Sequence, residues 1–588
     1  MVHSATVIVC TMNRTVTISI VCTLLTLYIV SLKLLDEETG KKQPHIVVII
    51  ADDLGWNDVG FHGSIQIPTP NIDALAYNGI ILNRHYVQPT CTPSRAALLT
   101  GKYPIRYGGQ GTPIAAGVPS ALPLDNKILP QYLKDVGYST HLIGKWHLGS
   151  YKTDFTPTRR GFDSHFGYWN GYISYRNSTH STRTMSGKDA RRGIERAGDE
   201  MNDRYVTDIF TDEALKVIQL CKGQEKPMFL MLSHLAVHSG NPGPESLEVA
   251  NKTHNNIQFN YIKNEERRLF AGMLTSLDES VGSVIESLHK NEMLENSIIL
   301  FISDNGAPAE DPVWNHQNFG SNWPLRGEKG SVLDGGVRGV AAIWSPWLKE
   351  KHSVSENLFH ITDWLPTLYT AAGGNLENLD SVDGINQWTS ITDNLKQMRT
   401  SILINIDEVR GEKALIFNQW KVVKSNRTSN LVSFLKYSGD TGNNGPDYNM
   451  SNVVESVAGS HLSKLNCILS KEDCMNTSTS YDLFYKLRSR ANIVNQCSER
   501  ISNPDPNEHY ECFDDYCLFD IRRDPCEYRN VVKQNQEALN MTVFMLEQFE
   551  NELVNQTLLT VDPNADPRYF GGYWETWMSY NTNIVGNR

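Results

Sequence analysis

Short, uninterrupted apolar runs recur through the N-terminal part of the chain. Residues 45–50, 228–232 and 297–303 are each largely apolar and are followed by polar residues. Such runs are typical of strands buried on both faces of a parallel sheet. Residues 140–143 predict a further short strand. The pattern predicts an α/β fold in which a large, mostly parallel central sheet is flanked by helices.

The hydrophobic pattern changes after about residue 395. Residues 402–406 and 414–416 predict strands separated by turns, and residues 534–554 predict a helix. Residues 438–480 are rich in glycine, asparagine and serine, a composition that predicts an irregular loop. We therefore expect the architecture to differ between the two parts of the chain.

The length of the chain supports a division into domains. At 588 residues it exceeds the size of one ordinary hydrophobic core. We expect a larger domain at residues 44–395 and a smaller C-terminal domain at residues 396–588.

The N-terminus predicts a targeting segment at residues 1–35. Residues 15–32 carry no charge, and they lie between Arg14 and Lys33. This apolar stretch is long for a signal peptide and near the lower limit for a membrane span. We interpret it as a secretory signal, cleaved or retained as a membrane anchor, with Met12 as an alternative start.

Glycosylation acceptors and cysteines agree with entry into the secretory pathway. Asn-x-Ser/Thr acceptors occur at Asn177, Asn251, Asn426, Asn449, Asn476, Asn540 and Asn555. Six cysteines cluster late in the chain: Cys467, Cys474, Cys497, Cys512, Cys517 and Cys526. They predict disulfides whose pairing the spacing leaves open, and a zinc site is disfavoured because no Cys-x-x-Cys pair occurs. The net charge of -12 argues against a general nucleic-acid binder.

The segment Cys-Thr-Pro-Ser-Arg-Ala-Ala-Leu-Leu-Thr-Gly, which begins at Cys91, predicts a short helix. Thr92 is expected as the N-cap, Pro93 suits the first helical position, and Gly101 suits a left-handed C-terminal stop. Cys91 then lies at the helix N-terminus, where N–H groups favour an anion, and Arg95 follows about one turn later. One interpretation is a site for a tetrahedral oxyanion. The other is a buried or disulfide-bonded cysteine on an ordinary helix.

Acidic and amide side chains follow two of the predicted strands. Asp52 and Asp53 come after the first strand, and Asp304 and Asn305 come after residues 297–303. Ligands of open α/β sheets bind at the carboxyl ends of the strands. Three carboxylates and an amide offer the oxygen donors that calcium prefers, with magnesium second. Taken separately, the two pairs are also typical of a solvated strand end and a turn.

A lysine and a histidine follow the strand at 140–143. Lys145 and His147 are two residues apart, so their side chains share one side if the chain stays extended. A lysine and a histidine in a loop are usually only solvated.

Together these segments resemble the signatures of the sulfatase family. Cys-x-Pro-Ser-Arg followed by Leu-Thr-Gly, from Cys91, resembles the signature in which the cysteine is oxidised to formylglycine, and Gly-Tyr-x-Thr-x-x-x-Gly-Lys-x-His at 137–147 resembles the second signature. The resemblance spans residues 44–588 and is closest to the arylsulfatase B group, through residues 157–163 and 574–578. It implies an alkaline-phosphatase-like sandwich with an antiparallel sheet in the smaller C-terminal domain.

The resemblance also implies a set of site residues. One calcium ion would be held by Asp52, Asp53, Cys91, Asp304 and Asn305. The catalytic residues would be Cys91, Arg95, Lys145, His147, His238 and Lys329. His234 and Arg338 are then expected to be structural.

The resemblance implies covalent catalysis by the hydrated formylglycine at Cys91. One hydroxyl attacks sulfur, and the other, deprotonated by His147, expels sulfate. Arg95, Lys145 and the metal would neutralise charge on the sulfuryl oxygens. His238 and Lys329 would serve the leaving oxygen.

The resemblance implies several partners. They are a sulfated carbohydrate or small sulfate ester as substrate and, during maturation, the formylglycine-generating enzyme. No nucleic-acid partner is expected. The 4-sulfate of N-acetylgalactosamine in glycosaminoglycans is the first substrate hypothesis, and small sulfated glycosides such as glucosinolates are the second. Lysosomal residence, secretion and membrane anchoring are all compatible with the sequence.

Two other function classes compete with a sulfatase. A phosphoesterase of the same fold would carry serine or threonine as nucleophile and more histidines around two zinc ions, which Cys91 and a single Asp/Asn site argue against. A non-catalytic binding glycoprotein would result if Cys91 stayed unmodified.

Overall fold

A ten-stranded sheet forms the framework of the fold in the computed structural model, which describes residues 42–243, 245–309, 318–393, 398–425, 438–470, 477–497, 512 and 515–579. The strands of the described residues are β1 His45–Ala51, β2 Ile80–Leu82, β3 His85–Tyr86, β4 Ser139–Lys145, β5 Ser164–Tyr168, β6 Thr179–Ser181, β7 Ser186–Lys188, β8 Arg191–Arg192, β9 Glu195–Arg196, β10 Met228–Ser233, β11 Ser297–Ser303, β12 Ala341–Trp344, β13 Ser353–Ser355, β14 Phe359–His360, β15 Ser401–Asp407, β16 Glu412–Phe417, β17 Trp420–Lys424 and β18 Cys517–Asp520.

Helices connect and cover these strands. The α-helices are α1 Pro70–Asn78, α2 Cys91–Thr100, α3 Leu129–Asp135, α4 Val206–Cys221, α5 Lys252–Gln258, α6 Glu265–Lys290, α7 Asp334–Val337, α8 Trp364–Ala371, α9 Trp388–Asp393, α10 Met450–Val454, α11 Val457–Ser470, α12 Thr477–Ala491 and α13 Gln536–Asn551. The strand predicted at 140–143 is confirmed as part of β4, and the helix predicted at 534–554 as α13.

The large sheet is mostly parallel. Its order is β13-β2-β12-β11-β1-β10-β4-β5-β8-β9, and neighbours from β11 to β5 run parallel. β12 and β8 join this block in antiparallel fashion. In the register of β1, Ala51 lies beside Ser303 and Ile50 beside Ser233. The carboxyl ends of β1, β10 and β11 therefore open at one edge of the sheet.

Both faces of the sheet are buried, as the uninterrupted apolar runs predict. Val47 and Ile49 point into one hydrophobic core, and Ile46 and Val48 point into another on the opposite face. Successive residues of a strand face opposite sides, so a central strand must be apolar throughout when helices cover both faces. This confirms the predicted α/β sandwich.

A second, four-stranded sheet follows in the C-terminal part. Its order is β15-β16-β17-β18, and each pair is antiparallel. One face packs against α13, where Leu415, Val422 and Leu546 share a core. The antiparallel C-terminal sheet is therefore confirmed. Contacts join residues from Pro44 onward into one compact unit, and the division near residue 395 stays a prediction.

The predicted loop at 438–480 is wrong for much of its length. The described part contains α10, α11 and the start of α12. Buried Met450, Val453 and Leu462 belong to the same core as α1 and α6. Local composition disfavours helix here, and the apolar contacts made with distant helices override it.

Two predicted disulfides are present among the described cysteines. Cys497 pairs with Cys526, and Cys512 pairs with Cys517. The side chains of Cys467 and Cys474 lie outside those the structure describes. Cys221 is a buried free thiol, as is Cys91.

Five of the predicted glycosylation acceptors are exposed in the described residues. They are Asn177, Asn251, Asn449, Asn540 and Asn555. The other two, Asn426 and Asn476, lie outside the described residues, as does the apolar segment 15–32. Within the described ranges, no helix has both the length and the apolar character of a membrane span.

Candidate functional site

Helix α2 places Cys91 at the carboxyl edge of the large sheet. The N-cap is Thr90 and the helix starts at Cys91, so the predicted cap at Thr92 is wrong by two residues. The hydroxyl of Thr92 instead donates to the carbonyl of His147 at 3.0 Å. Gly101 ends the helix at φ +67°, the left-handed stop that the sequence predicts.

Cys91 and His147 face each other in a buried contact. The Sγ of Cys91 lies 3.3 Å from Nδ1 of His147. The other ring nitrogen, Nε2, lies 3.0 Å from the carbonyl of Ile114, which can only accept, so Nε2 carries the proton and Nδ1 is an acceptor. Burial raises the pKa of the Cys91 thiol. Burial, followed by the charge of Lys145, lowers the pKa of His147 well below its ordinary value.

The local backbone at His147 departs from the extended form that the sequence analysis assumed. His147 adopts φ +57°, just beyond the end of β4. Its side chain nevertheless reaches the same site as Lys145, which projects from the last position of the strand. The tertiary structure, rather than simple alternation, brings the two side chains together.

Three carboxylates at the ends of β1 and β11 are each paired with a cation. The Nζ of Lys145 lies 2.5 Å from Asp52, the Nζ of Lys329 lies 2.7 Å from Asp53, and Nη2 of Arg95 lies 2.8 Å from Asp304. All three carboxylates are buried. Buried charges of this kind persist only when they are paired or bind a metal. Burial and the neighbouring charge of Asp52 raise the pKa of Asp304.

The strand ends that hold these groups converge across long distances in sequence. Guanidinium Nη1 of Arg95 donates to the hydroxyl of Ser233, the last residue of β10. The backbone N–H of Asp53 donates to Asp304 at 3.2 Å, and the amide of Asn305 donates to Asp53 at 2.6 Å. The edge of the parallel sheet therefore brings together the groups that the sequence places apart.

The carboxylate cluster has oxygen atoms that fit a divalent cation. Oδ1 of Asp52 and Oδ1 of Asn305 are buried and have no hydrogen-bond partner among the described residues. Ligand atoms of Asp52, Asp53 and His238 lie within 4.8 Å of one another. A buried oxygen atom without a hydrogen-bond partner is energetically unfavourable. Such oxygen atoms suit calcium, which prefers oxygen ligands. His238 at the edge of this cluster was not among the predicted metal ligands.

His238 and Lys329 both contact the carboxylate of Asp53. Nε2 of His238 lies 3.5 Å from Asp53. Nδ1 of His238 lies 2.5 Å from the carbonyl of Ser239, so Nδ1 carries a proton and Nε2 is directed toward the cluster. His234, by contrast, is fully buried against the hydroxyl of Ser280 at 3.0 Å, which supports a structural role.

A cavity of about 340 Å³ opens above these residues. Its base is formed by Cys91, His147, His238 and Lys329. This volume falls in the range of small-molecule pockets, about 300–1,000 Å³. The base of this ligand-sized cavity therefore combines a buried thiol position, an acceptor imidazole and a lysine, and its Lys329 and His238 contact Asp53 of the carboxylate cluster.

The Sulfatase family profile matches residues 44–374, more than half of the chain. The chain belongs to the sulfatase family. It is a sulfuric ester hydrolase, with the alkaline-phosphatase-like fold described above.

Relatives of this sulfatase share most of its length. It is 35% identical over 546 residues to arylsulfatase J of Mus musculus, covering 92% of this chain and 81% of the relative. It is 29% identical over 364 residues to N-acetylgalactosamine-6-sulfatase of Homo sapiens, covering 58% of this chain and 65% of that protein. The crystal structure of Ps i-CgsB in complex with k-i-k-neocarrahexaose aligns with a TM-score of 0.65 at 25% identity, covering 92% of this chain and 99% of that one. A likeness specific to the arylsulfatase B group stays a prediction.

The upper wall of the cavity of this sulfatase comes from loops 105–125 and 165–200, in which the sequence assigned no individual residue a role. One side of the wall is the loop around Ile114, and the other carries Tyr172, His180 and Arg183. These residues follow no periodic pattern or metal-ligand spacing. The only local signal is the pair of short polar strands, β6 and β7, that carries two of them.

Proposed function

We propose that this sulfatase cleaves sulfate esters of carbohydrates by using a formylglycine made from Cys91 and a calcium ion. The observation that carries the proposal is the position of Cys91, buried at the floor of the cavity with the acceptor nitrogen of His147 at 3.3 Å. The oxygen-rich cluster of Asp52, Asp53 and Asn305 supports calcium as the cation.

The modified residue and the ion have defined chemical parts in this proposal. One hydroxyl of the hydrated aldehyde at position 91 would attack sulfur and displace the alcohol of the ester. The second hydroxyl would then lose its proton and re-form the aldehyde, which breaks the bond to the sulfate and releases it. Asp52, Asp53, Asp304 and Asn305, together with residue 91, would hold the calcium ion, which would supply positive charge near the sulfuryl oxygens.

Side chains of the protein supply proton transfer and charge stabilisation in the proposed reaction. His147 accepts a proton at position 91, because its Nδ1 faces that residue as an acceptor. Arg95 and Lys145 neutralise charge on the sulfuryl oxygens. His238 and Lys329 lie at the cavity floor, where they can donate a proton or a hydrogen bond to the leaving oxygen.

For the substrate, we propose a sulfated sugar, with the 4-sulfate of N-acetylgalactosamine as the first candidate. Two relatives support a carbohydrate: one is named N-acetylgalactosamine-6-sulfatase, and the other is a structure in complex with k-i-k-neocarrahexaose. Small sulfated glycosides are the second candidate. The exposed acceptor asparagines and the disulfides support a secretory route to the lysosome or outside the cell, where the formylglycine-generating enzyme can act during passage.

Mass spectrometry of the tryptic peptide from His85 to Arg95 tests the first step. Protein from a secretory host is expected to carry the aldehyde or its hydrate at residue 91. Turnover of an aryl sulfate by the wild type, lost in Cys91→Ala, is the matching kinetic result. A thiol at residue 91, in a host that converts other sulfatases, would contradict the proposal.

A panel of sulfated monosaccharides then tests the substrate. It contains N-acetylgalactosamine 4-sulfate, its 6-sulfate isomer and a sulfated aryl glycoside, compared by kcat/KM. The 4-sulfate is expected to be the best substrate. A higher kcat/KM for either of the other compounds would replace the first candidate with that one.

A further inference from the structure

The cavity wall opposite Ile114 is a β-hairpin made of β6 and β7. Arg183 lies in its turn, where the N–H of Thr182 donates to the carbonyl of Met185 at 2.8 Å. Both Thr182 and Arg183 line the cavity above Cys91. A cationic side chain is thus held at the mouth of the cavity and apart from the cation pairs at its floor.

The cations near the floor of the cavity and the cation at its mouth differ in whether a described carboxylate pairs with them. Arg95, Lys145 and Lys329 each pair with a carboxylate within 2.8 Å. Arg183 is exposed, and the described residues form no ion pair or hydrogen bond with its guanidinium. The described residues that line the cavity include no carboxylate. Arg183 therefore adds a positive charge at the mouth that no side chain of the described residues pairs with.

The wall that carries Arg183 is fixed by contacts on both sides. The hydroxyl of Tyr172 donates to the carbonyl of Ser181 at 2.9 Å, and the ring of His180 lies 4.3 Å from that of Tyr172. Trp574 donates from Nε1 to the carbonyl of His180 at 3.0 Å. Tyr172 also stacks on His238, with ring centroids 5.6 Å apart. This chain of contacts sets the distance between the Arg183 turn and the floor of the cavity.

We propose that Arg183 forms a subsite for a second anionic group, carried by the sugar next to the one whose sulfate ester is cleaved. A guanidinium binds a carboxylate or a sulfate through paired N–H donors, which gives orientation as well as charge. The substrate class is therefore an acidic oligosaccharide. This inference rests on the proposed function for the reaction, and its binding part can be measured separately.

The test compares disaccharides that differ only in the second group. Each carries the same sulfate ester, and the neighbouring sugar carries a uronic carboxylate, its reduced neutral alcohol, or a second sulfate. Binding is measured by calorimetry with the full-length Cys91→Ala protein, so that no turnover is needed. In that background, Arg183→Gln is expected to weaken binding of the two anionic disaccharides about tenfold relative to the neutral one.

Two further variants make the comparison specific. Arg183→Lys retains the charge without the paired donors and is expected to lose less affinity than Arg183→Gln. Arg523→Gln removes an arginine that is 89% exposed and does not line the cavity, and it is expected to keep the preference for anionic disaccharides. A larger loss with the carboxylate than with the second sulfate, or the reverse, identifies which anion the subsite takes.

The outcomes separate this inference from the proposed function. Equal affinity of the unsubstituted Arg183 protein for neutral and anionic disaccharides would overturn the inference, as would an equal effect of Arg183→Gln on both. A protein that binds anionic disaccharides through Arg183 yet keeps a thiol at residue 91 would support the subsite and contradict the proposed reaction.

Discussion

The acceptor nitrogen of His147 faces the side chain of Cys91 at 3.3 Å, while its other nitrogen is held by the carbonyl of Ile114 at 3.0 Å. The carbonyl fixes which ring nitrogen carries the proton, and burial with nearby cations keeps the ring neutral by lowering its pKa. A neutral imidazole with a free acceptor lone pair is the form that a general base requires.

Replacing His147 by Gln is therefore expected to lower kcat for an aryl sulfate by about 100-fold or more, because general-base catalysis contributes at least this much. The measurement is steady-state turnover, normalised to the fraction of residue 91 present as aldehyde. His234→Gln is the matched control, since His234 contacts Ser280 away from the cavity lining. It should reduce thermal stability while leaving kcat within about twofold. An active His147→Gln enzyme would rule out His147 as the base.

The carboxylate cluster predicts stabilisation by calcium. Added calcium at about 100-fold excess over its Kd is expected to stabilise the protein by roughly 2.7 kcal/mol, because it binds only the folded cluster. Asn305→Ala removes a buried oxygen to which no other described residue hydrogen-bonds, and it should abolish most of this shift, as measured by thermal unfolding with and without chelator.

Asp58→Asn is the control for the calcium experiment. Asp58 is also a buried aspartate, and it pairs with Arg267 at 2.7 Å instead of belonging to the cluster. Its substitution should lower the melting temperature and preserve the calcium-dependent increase. Loss of that increase in both variants would indicate general destabilisation instead of a lost ligand.

Contacts made by Trp574 connect the C-terminal segment to the cavity wall. It donates to the carbonyl of His180 and packs edge-on against that ring at 5.5 Å. Trp574→Ala should raise KM for a sulfated oligosaccharide more than KM for an aryl sulfate, because only the larger substrate is expected to reach the hairpin at the cavity mouth. Trp577→Ala is the control from the same segment, since Trp577 donates to Asp562 and not to the hairpin. Equal changes in both KM values would contradict a role in the wall.

The raised pKa of Asp278 is expected to make the folded protein more stable in mildly acidic solution than at neutral pH. Burial raises its pKa to about 7, although it accepts hydrogen bonds from the first turn of α1. The folded protein therefore keeps a proton that the unfolded chain releases above about pH 4. From about pH 4 to pH 7 this group lowers the free energy of unfolding as pH rises, by up to about 1.4 kcal/mol per pH unit.

Urea unfolding of Asp278→Asn at several pH values measures this contribution. The variant should lose part of the slope between about pH 4 and pH 7, because asparagine does not titrate. Asp212→Asn, at an exposed pair with Arg204, should keep the slope of the wild type. An unchanged slope in Asp278→Asn would show that this carboxyl is ionised in the folded protein.

Much of the framework was predictable from the sequence for a physical reason. A strand buried on both faces must be apolar at every position, so β1, β10 and β11 are visible as uninterrupted runs. Asp52 and Asp304 follow such runs directly, and their meeting follows from the common edge of parallel strands. The resemblance to the family signatures at Cys91 and at residues 137–147 pointed to two residues of the cavity base, Cys91 and His147.

Only the tertiary structure decided the rest. Residues 438–480 contain helices because contacts with α1 and α6 outweigh a composition that disfavours helix. The wall that carries Arg183 is held by Trp574, which is distant in sequence, and no local pattern encodes such a contact. The sequence by itself determined the strands and the helix at Cys91, since these depend on neighbouring residues. Which side chains complete the cavity depended on long-range packing.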